Sequence, residues 1–343
     1  MEAVQEIQTE MPVSSKEKKG IAGSTIKLIA IITMLIDHIG ACILTRMLLV
    51  RGMAQVSSLE EQEAFLAQNG GLYDLMFVTR MIGRLGFPIF CFLLVEGFQK
   101  TRNVKKYAMR LGLFALISEI PFDLATGGKF FELEYQNVYF TLLVGILLLC
   151  AVEKFMNWNP AAWIKNTVVA AGMVLVPLYC AFKEVELSGM QFTMITGMED
   201  RTPLFVAVFL GVLLICIIVA VVYRLIRGKD KTWQLMGNAI LVVIAMFIAG
   251  VLKTDYAGGG VLTIFMIYLF RKRKVLSATA GCVVLTLMSF TEITSFLTLI
   301  PIAKYNGKRG LNLKYVFYAF YPVHLFLLWA ICALMGMGFI SAI

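Results

Sequence analysis

The stretch Ile26-Lys-Leu-Ile-Ala-Ile-Ile-Thr-Met-Leu-Ile-Asp-His-Ile-Gly40 decides the fold. It is apolar apart from a lysine at its start, one threonine, and an adjacent acid and imidazole, Asp37 and His38, deep inside it. About 20 apolar residues rising 1.5 Å each make a helix that crosses a bilayer. An ionisable side chain at the bilayer centre costs about 2.5–3.5 kcal/mol on insertion scales. Such residues therefore face protein or a water-filled cavity and mark function. The 343-residue chain has only two histidines, and one of them is here.

The rest of the chain repeats this apolar character. Mean hydropathy is +0.80, with 59% hydrophobic and 15% charged residues. A soluble domain is about a quarter charged. Apolar spans are expected at 26–49, 74–98, 107–125, 137–156, 162–182, 203–224, 233–253, 257–270, 275–290 and 315–337, with a shorter piece at 293–303. That predicts an all-α polytopic bundle of about ten transmembrane helices, or eleven if the short piece crosses. Residues 1–25 read as a polar cytoplasmic tail, and 26–343 as one transmembrane domain. The loops near 51–72 and 183–202 read as the sizeable pieces outside the membrane.

The net charge of +9 is not a nucleic-acid footprint, because the basic residues cluster between apolar spans. One cluster is Lys100, Arg102, Lys105, Lys106 and Arg110; a second is Arg224, Arg227, Lys229 and Lys231; a third runs from Arg271 to Lys274. Acidic segments (Glu60 to Glu63, Glu132 and Glu134, Glu184 to Asp200) alternate with them. The positive-inside rule then places the N-terminus in the cytoplasm and the acidic loops outside; the expected location is a bacterial-type plasma membrane. The alternation loses phase after 275. A reversal near Glu292 would return Lys304–Lys314 to the cytoplasmic side, and this reading is preferred to one bent helix. The seven cysteines lie mostly in apolar runs without metal-ligand or disulfide spacing, and read as packing residues.

Several polar residues stand out against this background. Lys27 precedes His38 by eleven positions, close to three turns, so the two share a face roughly 16 Å apart. A neutral imidazole is the usual general base near neutral pH, and Asp37 could orient it. The bland reading is a polar pair that fixes helix packing. Arg80 and Arg84 share a face one turn before Pro88. Arg80 reads as snorkelling to the outer interface, whereas Arg84 lies deeper. Glu96, Glu119 and Asp123 are candidate partners for buried bases. Tyr107 and Arg110, with Lys106, open a helix behind the basic loop and suit either lipid headgroups or cofactor phosphates. Asp255 precedes a Gly-rich break, Asn306 centres a tight turn, and His324 follows Pro322 in the last span.

These residues together resemble the TraX family. The matching elements are Lys27 with Met34-Leu-Ile-Asp-His38; Ile82-Gly-Arg-Leu-Gly-Phe-Pro-Ile-Phe90 with Glu96-Gly-Phe; Tyr107-Ala-Met-Arg110; Asn137-Val-Tyr-Phe-Thr-Leu142; Asp255-Tyr; Tyr305-Asn-Gly-Lys-Arg-Gly310; and Tyr321-Pro-Val-His-Leu325. The family's namesake acetylates the N-terminus of a pilin. The family is similar in turn to membrane acyltransferases such as the lysosomal heparan-α-glucosaminide N-acetyltransferase. The resemblance implies acetyl-CoA as acyl donor, His38 and Asp37 as catalytic residues, and no metal. It implies cofactor contacts among Lys27, Arg84, Lys106, Tyr107, Arg110, Asn137 and Thr141, with Glu96, Asp255, Asn306 and His324 as substrate or structural polar residues. Asn137 or His324 would polarise the acyl carbonyl. The acceptor, an amine or hydroxyl on a protein or carbohydrate, is left open. Membrane lipids and a second copy of the chain are further expected partners. The competing class is a secondary transporter or flippase, to which broken helices and midplane charges also belong; no internal repeat favours it.

Overall fold

The computed structural model describes residues 20–228, 231–311 and 314–342. In hydrocarbon every backbone donor and acceptor must be satisfied internally, which leaves helices for a chain this apolar. The helices are α1 (Gly23–His38), α2 (Thr45–Val50), α3 (Leu59–Gly83), α4 (Gly86–Lys100), α5 (Val104–Thr126), α6 (Val138–Met156), α7 (Ala162–Thr196), α8 (Thr202–Arg227), α9 (Thr232–Val251), α10 (Ala257–Leu269), α11 (Lys274–Met288), α12 (Leu299–Lys304) and α13 (Lys314–Leu334). Seven helical stretches among the described residues are long and apolar enough to cross a membrane, and α10 and α11 are shorter apolar helices. The architecture is the expected all-α polytopic bundle. The tail before residue 20, and Lys229 in the second basic cluster, lie outside the described residues.

The chain shuttles between a basic end and an opposite end. The basic end gathers the start of α1, the end of α4 and the residues around 271–274 and 303–309, joined by backbone bonds Ile21 N–H to Lys304 O (3.0 Å), Gly23 N–H to Lys308 O (2.8 Å) and Ser24 N–H to Arg309 O (3.0 Å). The opposite end joins Gln136 to Lys253 and Asp255, and Ala342 to Thr126.

The ambiguous region after 275 resolves as a re-entrant hairpin. α11 descends from the basic end, a 3-10 segment Phe290–Thr298 reverses the chain, and α12 climbs back. Lys274 at the top of the descending limb donates to the carbonyls of Ala303 (2.7 Å) and Tyr305 (2.6 Å) at the end of the ascending one. The described residues from Lys304 to Gly310 thus lie at the same end of the bundle as Lys274, as the preferred reading expects. Residues 274–288 are a shorter apolar helix that forms one limb of this hairpin.

Two expected loops are largely helical. A capping box, Ser58 with Glu61, starts α3 well before the apolar run. α7 continues past the membrane to Gly197, whose φ of +71° ends it. No proline interrupts the chain between Leu59 and Leu72 or between Lys183 and Thr196, which is why polarity alone did not make these stretches loops.

Candidate active site

His38 is the last residue of α1, and a π-helical turn, Ile39–Leu44, follows it directly. Such turns hold one residue more than the α-helix and gather at functional sites. His38 faces α13, where its Nδ1 lies 2.7 Å from His324 Nε2. The second nitrogen of His324, Nδ1, lies 2.7 Å from the carbonyl oxygen of Phe320. A carbonyl only accepts, so His324 Nδ1 carries a proton and donates it. In the neutral ring His324 Nε2 is then an acceptor, and His38 Nδ1–H donates to it. The basic lone pair of the dyad is thereby assigned to His38 Nε2, which bonds to none of the described residues.

Asp37 does not orient His38. Its carboxylate accepts from Arg80 at 2.6 Å, because neighbouring helix positions point about 100° apart and Asp37 faces α3 while His38 faces α13. Arg80 accordingly does not snorkel; it is an internal partner. Asp37 can approach so closely because residue 83 is glycine: a Cβ there would stand 2.1 Å from Asp37 Oδ1.

Arg84 sits at the break between α3 and α4. Pro88, in the first turn of α4, has no N–H for the Arg84 carbonyl, which fixes the break there. Arg84 Nε lies 3.3 Å from Glu292 Oε1 on the tip of the re-entrant hairpin. Tyr135 donates to Asp255 at 2.7 Å. Tyr256, next to Asp255, stacks on Phe87 with ring centroids 3.8 Å apart. Oxygens of Asp37 and Glu292 remain buried without a partner among the described residues. The result is a cluster of paired charges on the side of α1 away from the histidines.

An aromatic wall links this level to the basic end. His38 meets Tyr321 edge-on at 6.0 Å, Tyr321 meets Tyr139 at 5.1 Å, and Phe114 stacks on Tyr318 at 4.8 Å. Pro322 leaves the Tyr318 carbonyl without its helical donor, and the Tyr139 hydroxyl lies 3.5 Å from it. Arg110 lies beside Tyr318. Lys27 Nζ lies 5.4 Å over the Phe317 ring, so Lys27 and His38 both face α13.

Other expected site residues are placed elsewhere. Asn137 is fully buried, and both its amide protons are committed, to Ala115 O (2.8 Å) and to Glu119, while its oxygen caps α6. It polarises no acyl carbonyl in this arrangement. Thr141 donates to the backbone carbonyl of Asp255 and meets the Gly260 backbone, a helix-packing role. The glycines after Asp255 open α10 and admit neighbouring helices rather than a ligand. Tyr107 packs against Gly97, and Lys106 is exposed at the start of α5. Glu96 and Asn306 line a cleft at the basic end.

One residue had no expectation attached. Arg46 is fully buried (0% exposed) and donates to the carbonyls of Ile340 (2.7 Å), Ala125 (2.6 Å), Leu124 (3.1 Å) and Cys42 (3.3 Å). A lone arginine eight residues past His38 in an apolar run was the available signal.

Fold and site define an all-α polytopic bundle with a histidine pair and a cluster of paired charges held between its helices. The chain belongs to the TraX protein family, whose model matches residues 22–187 and 186–332. It is also similar to a probable fimbrial assembly protein FimC (serogroup H1) of Dichelobacter nodosus, 34% identical over 131 residues, covering 36% of this chain and 43% of that protein. The chain thus matches less than half the length of that relative. No solved structure matches.

Proposed function

We propose that the chain is an acetyltransferase of a bacterial-type plasma membrane. It would take acetyl-CoA from the basic, cytoplasmic end and deliver the acetyl group to an amine or hydroxyl at or across the membrane. The observation that carries this reading is the His38–His324 pair. Its hydrogen bonds leave one unbonded lone pair, on His38 Nε2, at the level where the aromatic wall meets the charged cluster.

Acetyl-CoA supplies an activated thioester. His38 Nε2 accepts the proton that the acceptor N–H or O–H gives up as its heteroatom bonds to the acyl carbon. It returns that proton to the thiolate released when the C–S bond breaks. While His38 is charged, its Nδ1–H bond to His324 becomes charge-assisted and strengthens. His324 is a positioning residue: it holds the tautomer and ring plane through the Phe320 carbonyl. Family membership and a fimbrial-assembly relative agree with a protein or surface-polymer acceptor.

The test is isotope-labelled acetyl-CoA supplied to membranes containing the chain, with the labelled product identified. General-base removal costs about 10²–10⁴-fold, so His38→Ala should lose transfer by at least that lower bound. Transfer that persists in His38→Ala refutes the assignment.

A further inference from the structure

The basic end carries a cleft of about 760 Å³ between the strap of residues 20–21, the end of α4, the start of α11 and the 303–307 turn. Four cations line it: Lys100, Arg271, Lys274 and Lys304. None of them belongs to the cofactor set expected from sequence.

Their surroundings leave positive charge uncompensated. Lys100 Nζ is shared between Glu96 (2.8 Å) and the Gly307 carbonyl (2.8 Å). Lys274 is held by two neutral carbonyls, which fix its position and leave its charge in place. Arg271 lies 3.9 Å over the Tyr268 ring and gives one N–H to a backbone carbonyl. Among the described residues no salt bridge joins Arg271, Lys274 or Lys304 to a carboxylate. Among the described residues Glu96 is the only acid lining the cleft; it is engaged by Lys100 and also lies beside the Tyr305 phenol. Burial first, and then Glu96, pushes that phenol up, so it stays protonated. The walls between the cations are apolar: Ile21, Phe92 and Val95.

A preorganised cationic rim over an apolar floor is built for phosphate esters attached to a less polar body. We infer that this cleft binds the phosphate-bearing nucleotide end of the acyl donor. The inference rests on the proposed acetyltransferase reading and deepens it. Glu96 borders the cleft and also neighbours Lys27. From Lys27 the seam between α1 and α13 leads to His38 over roughly 16 Å. The donor would therefore be anchored beside α4 and α11 and threaded past Lys27.

Anionic lipid headgroups offer the same phosphate chemistry, so the probes must separate the two sources. Full-length protein is placed in nanodiscs of zwitterionic lipid, and calorimetry measures binding of CoA, dephospho-CoA and adenosine 3′,5′-bisphosphate. Arg271→Gln/Lys304→Gln is the variant, because neither side chain ties the turn together; Lys274→Gln is a second. The expected result is saturable binding of the bisphosphate and a preference of about tenfold for CoA over dephospho-CoA, abolished in the double variant. An unchanged preference in the double variant overturns the inference, as does a cleft that takes anionic lipid but not the bisphosphate. The two readings fail separately. Variant-sensitive bisphosphate binding without acetyl transfer sinks the activity and spares the cleft. Acetyl transfer with an unaltered KM for acetyl-CoA in both variants sinks the cleft and spares the activity.

Discussion

Arg46→Met is expected to destabilise the bundle by about 2–6 kcal/mol. Methionine fills a similar volume but donates no hydrogen bond, so all four bonds are lost, and of the four carbonyls Cys42 keeps a contact, with Cys332 Sγ at 3.6 Å. Leu124 and Ala125 lie in the last turn of α5, where helix carbonyls have no intrahelical donor, and both residues are buried. Leaving two buried acceptors unpaired costs about 1–3 kcal/mol each, which sets the upper figure. Hydrogen bonds in membrane proteins measured by double-mutant cycles average about 0.6 kcal/mol, and four of them set the lower. Arg46→Lys should fall between, since one ammonium cannot span three chain segments. The control is Arg51→Met, an exposed arginine bonded to Asn69 at 3.1 Å, where a single acceptor loses its donor and the expected cost is about 1 kcal/mol. Reversible unfolding in mixed micelles, followed by tryptophan fluorescence, measures all three. If Arg46→Met is no less stable than Arg51→Met, the clamp reasoning is wrong. If it is destabilised as expected, transfer should fall too, because the clamp sets the register of the chain that follows His38.

Three further outcomes test the histidine pair and the charged cluster. His324→Ala should lower kcat by about 10²-fold with the KM for acetyl-CoA unchanged, whereas His324→Gln, whose amide oxygen can accept from His38 Nδ1–H, should recover part of the loss in a single-turnover assay; equal losses would contradict the positioning role. Gly83→Ala forces a methyl group to 2.1 Å from Asp37 Oδ1, so it should displace the Asp37–Arg80 pair and cost activity, while Gly71→Ala, with open space around it, should be neutral. Arg84→Met strands the carboxylate of Glu292, which is only 7% exposed; breaking a buried pair costs about 3–5 kcal/mol, less here because Arg84 is 21% exposed. Arg84→Met/Glu292→Met should be more stable than the single variant, and thermal denaturation in detergent decides it.

The membrane fold was legible because apolar runs and charge alternation are one-dimensional signals. The hairpin was legible too, since only a reversal near Glu292 kept Lys304–Lys314 in phase with the earlier basic loops. Pairings were not. Asp37 and His38 are adjacent in sequence, and adjacency suggested partnership, but helical geometry sends them to different neighbours. Arg80 was misread because snorkelling and internal pairing share the same sequence signature near a helix end. Asn137 and Thr141 stand in motif positions, yet their polar atoms cap a helix and join backbones. The π-turn after His38 has no residue signature, and the cleft cations come from three segments that sequence does not bring together.

His38 belongs to the first span, and its partner follows 286 residues later. At synthesis rates of about 5–20 residues per second, roughly 15–60 s separate the two. Throughout that interval the imidazole waits in the bilayer with neither tautomer fixed and no orienting bond. The pair closes only when the last described helix enters the bundle. Entry of α13 thus completes the pair, and a nascent chain that stops short of α13 carries His38 without the bond that orients its ring.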